Sequence, residues 1–131
     1  MFECLIIGDS IAVGTKAFMP ECLSHAKGGI TSWHWESSYS FTDLSTAKTV
    51  LISLGSNDGK TPKTVDALTA IRSRVEAKKV IWVLPIAAGR DNVILVAKKF
   101  GDQMIEIKYP QSDNIHPSWR GYKAIAEEAR K

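Results

Sequence analysis

The stretch CLIIGDS, residues 4–10, decides the fold. Its first four residues form a short apolar run, which is typical of a strand buried on both faces. Gly8 ends the run, and an apolar helical period over residues 11–19 follows directly until Pro20 stops it. A buried strand that passes straight into a helix predicts one unit of a parallel α/β sheet.

The same alternation continues along the chain. Strands that alternate with helices predict a parallel sheet with helices on both faces. Further strands are predicted at 23–26, 50–54, 80–84 and 104–107, the last at a sheet edge because charged residues interrupt it. The predicted helices are a short one capped by Thr31 or Ser32, one at 64–77, one capped by Asp91 and ended by Gly101, and a last one with Pro117 in its first turn and Trp119, Tyr122, Ile125 and Ala129 on its buried face.

Length and composition predict one globular domain over residues 1–131. Hydrophobic residues make up 44% and charged residues 24%, which are ordinary values for a folded protein. The net charge of +3 comes from scattered basic residues, so no nucleic-acid partner is expected. No apolar run approaches about 20 residues, so no membrane span is expected either. The oligomeric state is left open.

The start of the chain predicts a compartment. The first apolar run lacks a basic flank, so no signal peptide is expected and the cytoplasm is the default location. A phage virion protein, or one released on lysis, would show the same pattern. Cys4 and Cys22 are the two cysteines, and no cluster has zinc spacing, so no metal is expected. Buried reduced thiols are predicted, with a disulfide as the alternative if the two lie on neighbouring strands.

Polar and glycine-rich segments lie where the predicted strands end. In a parallel sheet the carboxyl ends of the strands meet at one edge, where ligands bind. The segments are Gly8-Asp9-Ser10, Gly28-Gly29, Gly55-Ser56-Asn57-Asp58 and, before the last helix, Asp113-Asn114-Ile115-His116.

These segments contain the groups that acyl transfer needs. A serine is a poor nucleophile until a base takes its proton, and His116 is a suitable base for Ser10. Asp113, three residues earlier, is suited to hold the imidazole in the right tautomer. A tetrahedral oxyanion needs preorganised donors, which the backbone N–H groups of Ser10 and Gly29 and the amide of Asn57 would supply.

The four segments, in this order across residues 5–122, resemble the motifs of the SGNH (GDSL-type) hydrolases. The resemblance implies a three-layer α/β/α sandwich with a flavodoxin-like sheet of about five strands. It also implies ester hydrolysis by a triad of Ser10, His116 and Asp113, without a metal or organic cofactor. Gly29 and Asn57 would complete the oxyanion hole, although Gly28 remains an alternative to Gly29. The chain resembles the short, single-domain members.

The short chain leaves little room for a lid, so an open site is expected. That favours a small acyl group, such as acetyl on a carbohydrate or another small molecule. Trp33 and His34 are candidates for a substrate groove, and Arg90, after the third strong strand, for contact with an anionic group. The alternative is that Trp33, Trp35 and Tyr39 belong to the core, because they recur at helical spacing. Asp9 and Asp58 are expected to organise loops.

Three other functions remain open. A lysophospholipase or thioesterase would use the same triad on other esters. A non-catalytic module would keep the fold and bind glycan through tryptophans. A nucleotide or flavin binder shares such a sheet, but residues 8–16 put five residues between the glycines where a phosphate-binding loop has four.

Overall fold

The computed structural model describes residues 2–131, in which five strands alternate with five helices. The five strands form one parallel sheet in the order β2-β1-β3-β4-β5, so the predicted flavodoxin-like α/β fold is confirmed. The elements are β1 (Phe2–Gly8), α1 (Ser10–Phe18), β2 (Leu23–Ala26), α2 (Ser32–Ser38), β3 (Ala47–Ser53), α3 (Lys63–Ser73), β4 (Lys79–Val83), α4 (Arg90–Phe100), β5 (Gln103–Ile105) and α5 (Trp119–Ala129).

Two apolar cores lie on opposite faces of the sheet. Successive side chains of a strand point to opposite faces, so Ile6 of β1 packs with α1 and α5 while Leu5 and Ile7 pack with α2, α3 and α4. Trp35 and Trp82 are the largest fully buried side chains, and both belong to the core beneath α2, α3 and α4. The helices on both faces make the three layers that the motifs imply.

The strand order changes direction at β1, which lies between β2 and β3. Gly8 pairs with Ala26 on one side and with Ser53 on the other. Its φ is +143°, and a Cβ there would lie 1.9 Å from the Ser53 carbonyl oxygen. Only glycine fits at this close approach. The turn from β1 into α1 is therefore packed closely against β3, at the edge of the sheet where α/β folds bind ligands.

Two predicted details of the helix starts are wrong. Helix α4 begins at Arg90 after Gly89, whose φ is +84°, and Asp91 lies in its first turn rather than at the cap. A Cβ on Gly89 would lie 2.1 Å from the Gly55 carbonyl oxygen, so the close approach of two loops sets this start. Pro117 lies before α5, whose N-cap is Ser118.

The predicted buried face of α5 is also partly wrong. Ile125 and Ala129 are buried, but Trp119 is 68% exposed. Gly121 takes the buried place in the first turn, because a Cβ there would lie 2.5 Å from the Lys108 carbonyl oxygen. The helix thus approaches the preceding segment too closely for a large inward side chain at this turn.

The prediction of reduced thiols is wrong, because Cys4 and Cys22 form a disulfide. Their Cα atoms lie 4.8 Å apart, within the range that the bond requires. The parallel pairing of β1 with β2 brings them together: Leu5 pairs with Leu23, and each cysteine precedes one of these residues. Across the part of the chain that is described, no helix has the length and apolar character needed to cross a membrane.

Candidate active site

Ser10, His116 and Asp113 form a continuous hydrogen-bonded series. Ser10 is the first residue of α1, and its Oγ lies 2.8 Å from Nε2 of His116. Nδ1 of His116 lies 2.6 Å from Oδ2 of Asp113. With the proton on Nδ1, that nitrogen donates to the carboxylate and Nε2 accepts from the serine hydroxyl. The side chains of His116 and Asp113 are 34% and 41% exposed, so the site is open.

The loop before α5 holds His116 through Asp113. Oδ1 of Asp113 accepts hydrogen bonds from the backbone N–H groups of Ile115 and His116 at 2.9 and 3.0 Å. The hydrogen bond from the His116 ring, helped by these N–H groups, lowers the pKa of Asp113 to about 2. Asp113 is therefore a carboxylate at any ordinary pH, and it organises both the ring and the backbone that carries the ring.

Asp9 fixes the start of α1, where Ser10 lies. It caps α1 by accepting from the N–H of Ile11, and it is fully buried. Its carboxylate also accepts from Ser53 Oγ at 3.2 Å and from Ser56 Oγ at 2.8 Å. Burial raises the pKa of Asp9, although these hydrogen bonds oppose the shift. The prediction that Asp9 organises loops is confirmed. Sequence reasoning missed Ser56 as its partner, although this serine lies inside a motif already singled out.

The glycine loop after β2 and the loop after β3 meet beside Ser10. A Cβ on Gly28 would lie 3.8 Å from the Cβ of Ser10, whereas Gly29 has φ +76° and open space around it. Nδ2 of Asn57 donates to the Ile30 carbonyl at 3.1 Å, so this amide reaches the glycine loop. The structure thus brings Gly28 to the serine and joins Asn57 to the same glycine loop.

Asp58 links the same two regions. Its Oδ1 accepts from the N–H of Ser32 at 2.9 Å, and both residues are buried. The start of α2 is thereby tied to the loop after β3. The prediction that Asp58 organises loops is confirmed.

The aromatic residues of α2 divide between the core and the surface. Trp35 is fully buried, stacks on Tyr39 and donates from Nε1 to the His25 carbonyl at 3.0 Å. Trp33 is partly exposed, and the Lys63 ammonium lies 5.5 Å from its ring centroid. His34 is exposed and lines a cavity of about 310 Å³ together with both glycines of the loop after β2. The alternative prediction, that these aromatic residues belong to the core, is thus right for Trp35, whereas His34 lies beside the glycine loop.

Arg90 does not offer a free cation to a substrate. Its two terminal nitrogens donate to the two carboxylate oxygens of Glu106 at 2.7 and 2.6 Å, and this hydrogen bonding raises the pKa of Arg90. It also donates to the Pro85 carbonyl. The prediction for Arg90 overlooked Glu106, which lies in the segment after the neighbouring strand β5.

A second cavity, of about 110 Å³, adjoins the residues around the triad. Its walls include Ser56, which binds Asp9, and Asn114 and Ile115, which precede His116. The other side is the short loop Pro85–Ala88 after β4. The cavity beside His34, of about 310 Å³, is thus larger than this one, of about 110 Å³, and different loops bound the two cavities.

No family model matches the chain, and no curated protein matches it. Solved structures do resemble it. An assumed acylhydrolase from Bacteroides fragilis superposes with a TM-score of 0.72 at 15% identity, over 95% of this chain and 83% of that one. A two-domain esterase active on acetylated mannans gives 0.66 at 14% identity, over 96% of this chain but 47% of its own.

The C-terminal catalytic domain of a peptidoglycan O-acetyltransferase from Streptococcus pneumoniae is also similar. Its TM-score is 0.64 at 18% identity, over 96% of this chain and 89% of that one. At these identities the likeness establishes a shared fold. The fold is thus shared with an esterase and with an acetyltransferase domain.

Proposed function

We propose that this protein is a serine ester hydrolase of the SGNH type that removes a small acyl group through Ser10, His116 and Asp113. The observation that carries the proposal is the series of contacts from Ser10 Oγ to His116 Nε2 and from His116 Nδ1 to Asp113. A serine, a base within hydrogen-bond reach and a group that orients the base are the parts of a nucleophilic triad. The helix N-terminus at Ser10 favours negative charge that develops there.

The mechanism follows from these positions. His116 Nε2 takes the hydroxyl proton as Ser10 Oγ bonds to the ester carbonyl carbon. The oxyanion receives hydrogen bonds from the Ser10 N–H, from Gly29 (or Gly28) and from the Asn57 amide. The tetrahedral intermediate collapses, the C–O bond to the alcohol breaks, and His116 returns the proton to the alcohol. Water, deprotonated by His116, then cleaves the acyl-enzyme and regenerates Ser10.

The two cavities support a small acyl group on a larger alcohol. A volume of about 110 Å³ suits acetyl better than a long chain. The larger cavity, with His34 and serines of α2 in its wall, offers polar groups to an alcohol such as a sugar. Trp33 also lies on α2 and is a candidate contact for the alcohol part of the substrate. The mannan esterase and the peptidoglycan acetyltransferase, whose printed names both involve acetylated carbohydrate, add weight to acetyl on a carbohydrate.

The disulfide supports an oxidising location for the protein instead of the cytoplasmic default. Disulfides persist in secreted and periplasmic proteins and on virion surfaces, and they are rare in the cytoplasm. The pairing of Cys4 with Cys22 thus favours an extracytoplasmic or virion-associated esterase. Quantifying free thiols in protein isolated from its native source, under denaturing conditions, tests this; two free thiols would contradict it.

The decisive experiment is hydrolysis of p-nitrophenyl esters from acetyl to octanoyl. Ser10→Ala and His116→Ala are each expected to lower kcat on the order of 10⁴–10⁶-fold, because triad members act as a unit. Ser112→Ala, an exposed serine in the same loop as His116, is the matched control and should keep wild-type activity. A Ser10→Ala variant as active as the wild type would refute the proposal.

The chain-length preference separates the related functions. A preference for acetyl supports the carbohydrate-type substrate, and a preference for octanoyl supports the lysophospholipase or thioesterase alternative. A folded protein that binds glycan, hydrolyses no ester and is not labelled at Ser10 by a fluorophosphonate would be the non-catalytic module.

A further inference from the structure

An aromatic and basic groove runs along the outer side of α5. Trp119 is 68% exposed and Tyr109 is 45% exposed, although both are large aromatic residues. They line a cavity of about 410 Å³ together with Lys108, Arg120 and Lys123. These five residues are called the α5 groove below. None of them takes part in the proposed chemistry, so the exposed aromatic surface needs another explanation.

Tyr109 is held in a conformation that costs free energy. Its φ is +55°, which is unusual for a bulky residue. The carbonyl of Tyr109 accepts from both the N–H and the hydroxyl of Ser118, which locks the turn. Strained residues that the surroundings hold in place concentrate at functional sites. Here the strain places an aromatic ring at the surface, where it contributes little to the core.

Both aromatic rings of the groove pack against other side chains. The Arg120 guanidinium lies 3.9 Å from the Tyr109 ring centroid, and the Lys123 ammonium lies 5.6 Å from that of Trp119. Trp119 also packs edge to face with Phe18, with ring centroids 5.3 Å apart. Rigid aromatic groups that stay exposed reduce the entropy cost of binding.

The groove carries unpaired positive charge. The ion pairs described within residues 2–131 use none of its cations Lys108, Arg120 and Lys123. Glu127 and Glu128 also line the cavity, and Glu128 is paired with Lys131. The groove thus offers cations beside aromatic faces, with the carboxylates of Glu127 and Glu128 also in its wall.

We propose that the α5 groove binds a polysaccharide that carries carboxylate groups. Tyr and Trp present apolar faces with polar edges, which suit sugar rings, while Arg and Lys pair with carboxylates. A flat anionic membrane fits less well, because the surface is concave.

The groove adjoins the candidate active site. Tyr109 and Trp119 flank the loop that carries Asp113 and His116, and the bridge between Pro110 and Pro117 closes that loop. Trp119 follows His116 by three residues, a distance of at most about 11 Å in extended chain. The groove therefore begins at the loop that carries His116, and it continues along α5. That the bound polysaccharide carries the scissile ester rests on the proposed function, whereas the binding itself does not.

The test is the affinity of the protein for polygalacturonate, measured by calorimetry at low and high salt. The wild type is expected to bind polygalacturonate and to lose affinity as salt rises, with dextran as a neutral glycan bound at least tenfold more weakly. Trp119→Ala and the double variant Arg120→Gln/Lys123→Gln should each weaken binding at least tenfold. Phe41→Ala, at a fully exposed aromatic residue outside the groove, is the matched control and should bind as the wild type does.

Several results would overturn the proposal. These are no binding of polygalacturonate by the wild type, full affinity in both groove variants, or equal affinity for dextran. Tighter binding to phosphatidylglycerol vesicles or to polyuridylate would overturn it in favour of a membrane or a nucleic acid. Ser10→Ala should bind polygalacturonate as the wild type does. A wild type that hydrolyses no ester but still binds polygalacturonate through Trp119 would therefore refute the proposed function while supporting the groove.

Discussion

The buried carboxylate of Asp9 accepts a hydrogen bond from Ser56 Oγ at 2.8 Å, which joins the loop that carries Ser10 to the loop after β3. Asp9 also caps α1 through the N–H of Ile11. One side chain thus sets both the start of the helix and the distance between two loops of the candidate site. Its burial raises its pKa, so we expect its contribution to stability to depend on pH.

Replacing Asp9 by Asn should change how stability depends on pH. Burial raises the pKa of Asp9 in the folded protein, so the folded state holds this proton more tightly than the unfolded chain does. The contribution of Asp9 to the free energy of unfolding therefore falls as pH rises above the unfolded value. Relative to the wild type, Asp9→Asn should become more stable as pH rises above the usual carboxyl value of 3.8. Urea unfolding at a series of pH values measures the difference.

The exposed Asp43 supplies a control of opposite sign. Its hydrogen bonds to Ser45 lower the pKa of Asp43, so Asp43→Asn should lose stability relative to the wild type as pH rises toward the usual value of 3.8, with no further change above it. A difference between Asp9→Asn and the wild type that does not change with pH would show that the burial of Asp9 carries no cost.

Asp113→Asn should lower kcat on the order of 10³–10⁴-fold with little effect on folding. The amide offers its NH₂ or a weaker acceptor to Nδ1 of His116, so the ring loses the tautomer that accepts from Ser10. The pKa of Asp113 is about 2, so loss of wild-type activity on acidification above about pH 3 cannot come from its protonation. Activity and circular dichroism of the purified variant test this; near wild-type turnover would exclude the orienting role.

Asn57→Ala should lower kcat about 10²–10³-fold with a smaller change in KM, because an oxyanion donor acts mainly in the transition state. Asn92→Ala is a matched control, since its Nδ2 also donates to a loop carbonyl, that of Thr61. Steady-state kinetics with p-nitrophenyl acetate compare the two. Equal, small losses in both variants would mean that Asn57 only supports its loop.

Replacing both Cys4 and Cys22 by Ala should lower the free energy of unfolding by about 3 kcal/mol, because the disulfide closes a loop with a separation of 18 residues. The bond lies between β1 and the start of β2, away from the carboxyl ends of the strands, so kcat at low temperature should stay unchanged. Urea unfolding with and without dithiothreitol measures the effect. The disulfide would be contradicted if dithiothreitol left the free energy of unfolding of the wild type unchanged and a thiol assay found both cysteines free.

Local patterns in the sequence were sufficient for most of the fold. The predicted strand at 23–26 coincides with β2, and the helix after Gly8 with α1, because apolar period and a following turn are local properties. Boundaries were less exact: α3 ends at Ser73 rather than at residue 77. There Arg74 donates to the carbonyls of Tyr39 and Thr42, a contact that no local pattern contains.

Some features of the candidate site could likewise be predicted from the sequence, and others could not. The residue types and order of Ser10, Asn57, Asp113 and His116 were sufficient to predict an acyl-transfer site, since the chemistry needs those groups. The partner of Arg90 was not predictable, because Glu106 follows another strand and only the order of β4 and β5 brings the two together. Trp119 looked buried from its spacing, but the closeness of Gly121 to Lys108 decides which side of α5 packs.

Periodicity and side-chain chemistry are local properties, so the alternation of strands and helices and the residues proposed for acyl transfer could be predicted from the sequence. The Cys4–Cys22 bond, the burial of Asp9 against Ser56 and the exposure of Tyr109 and Trp119 came only from the folded structure. Each of these depends on the distance between segments far apart in the chain. Strand order and backbone packing set that distance, and no local pattern records it.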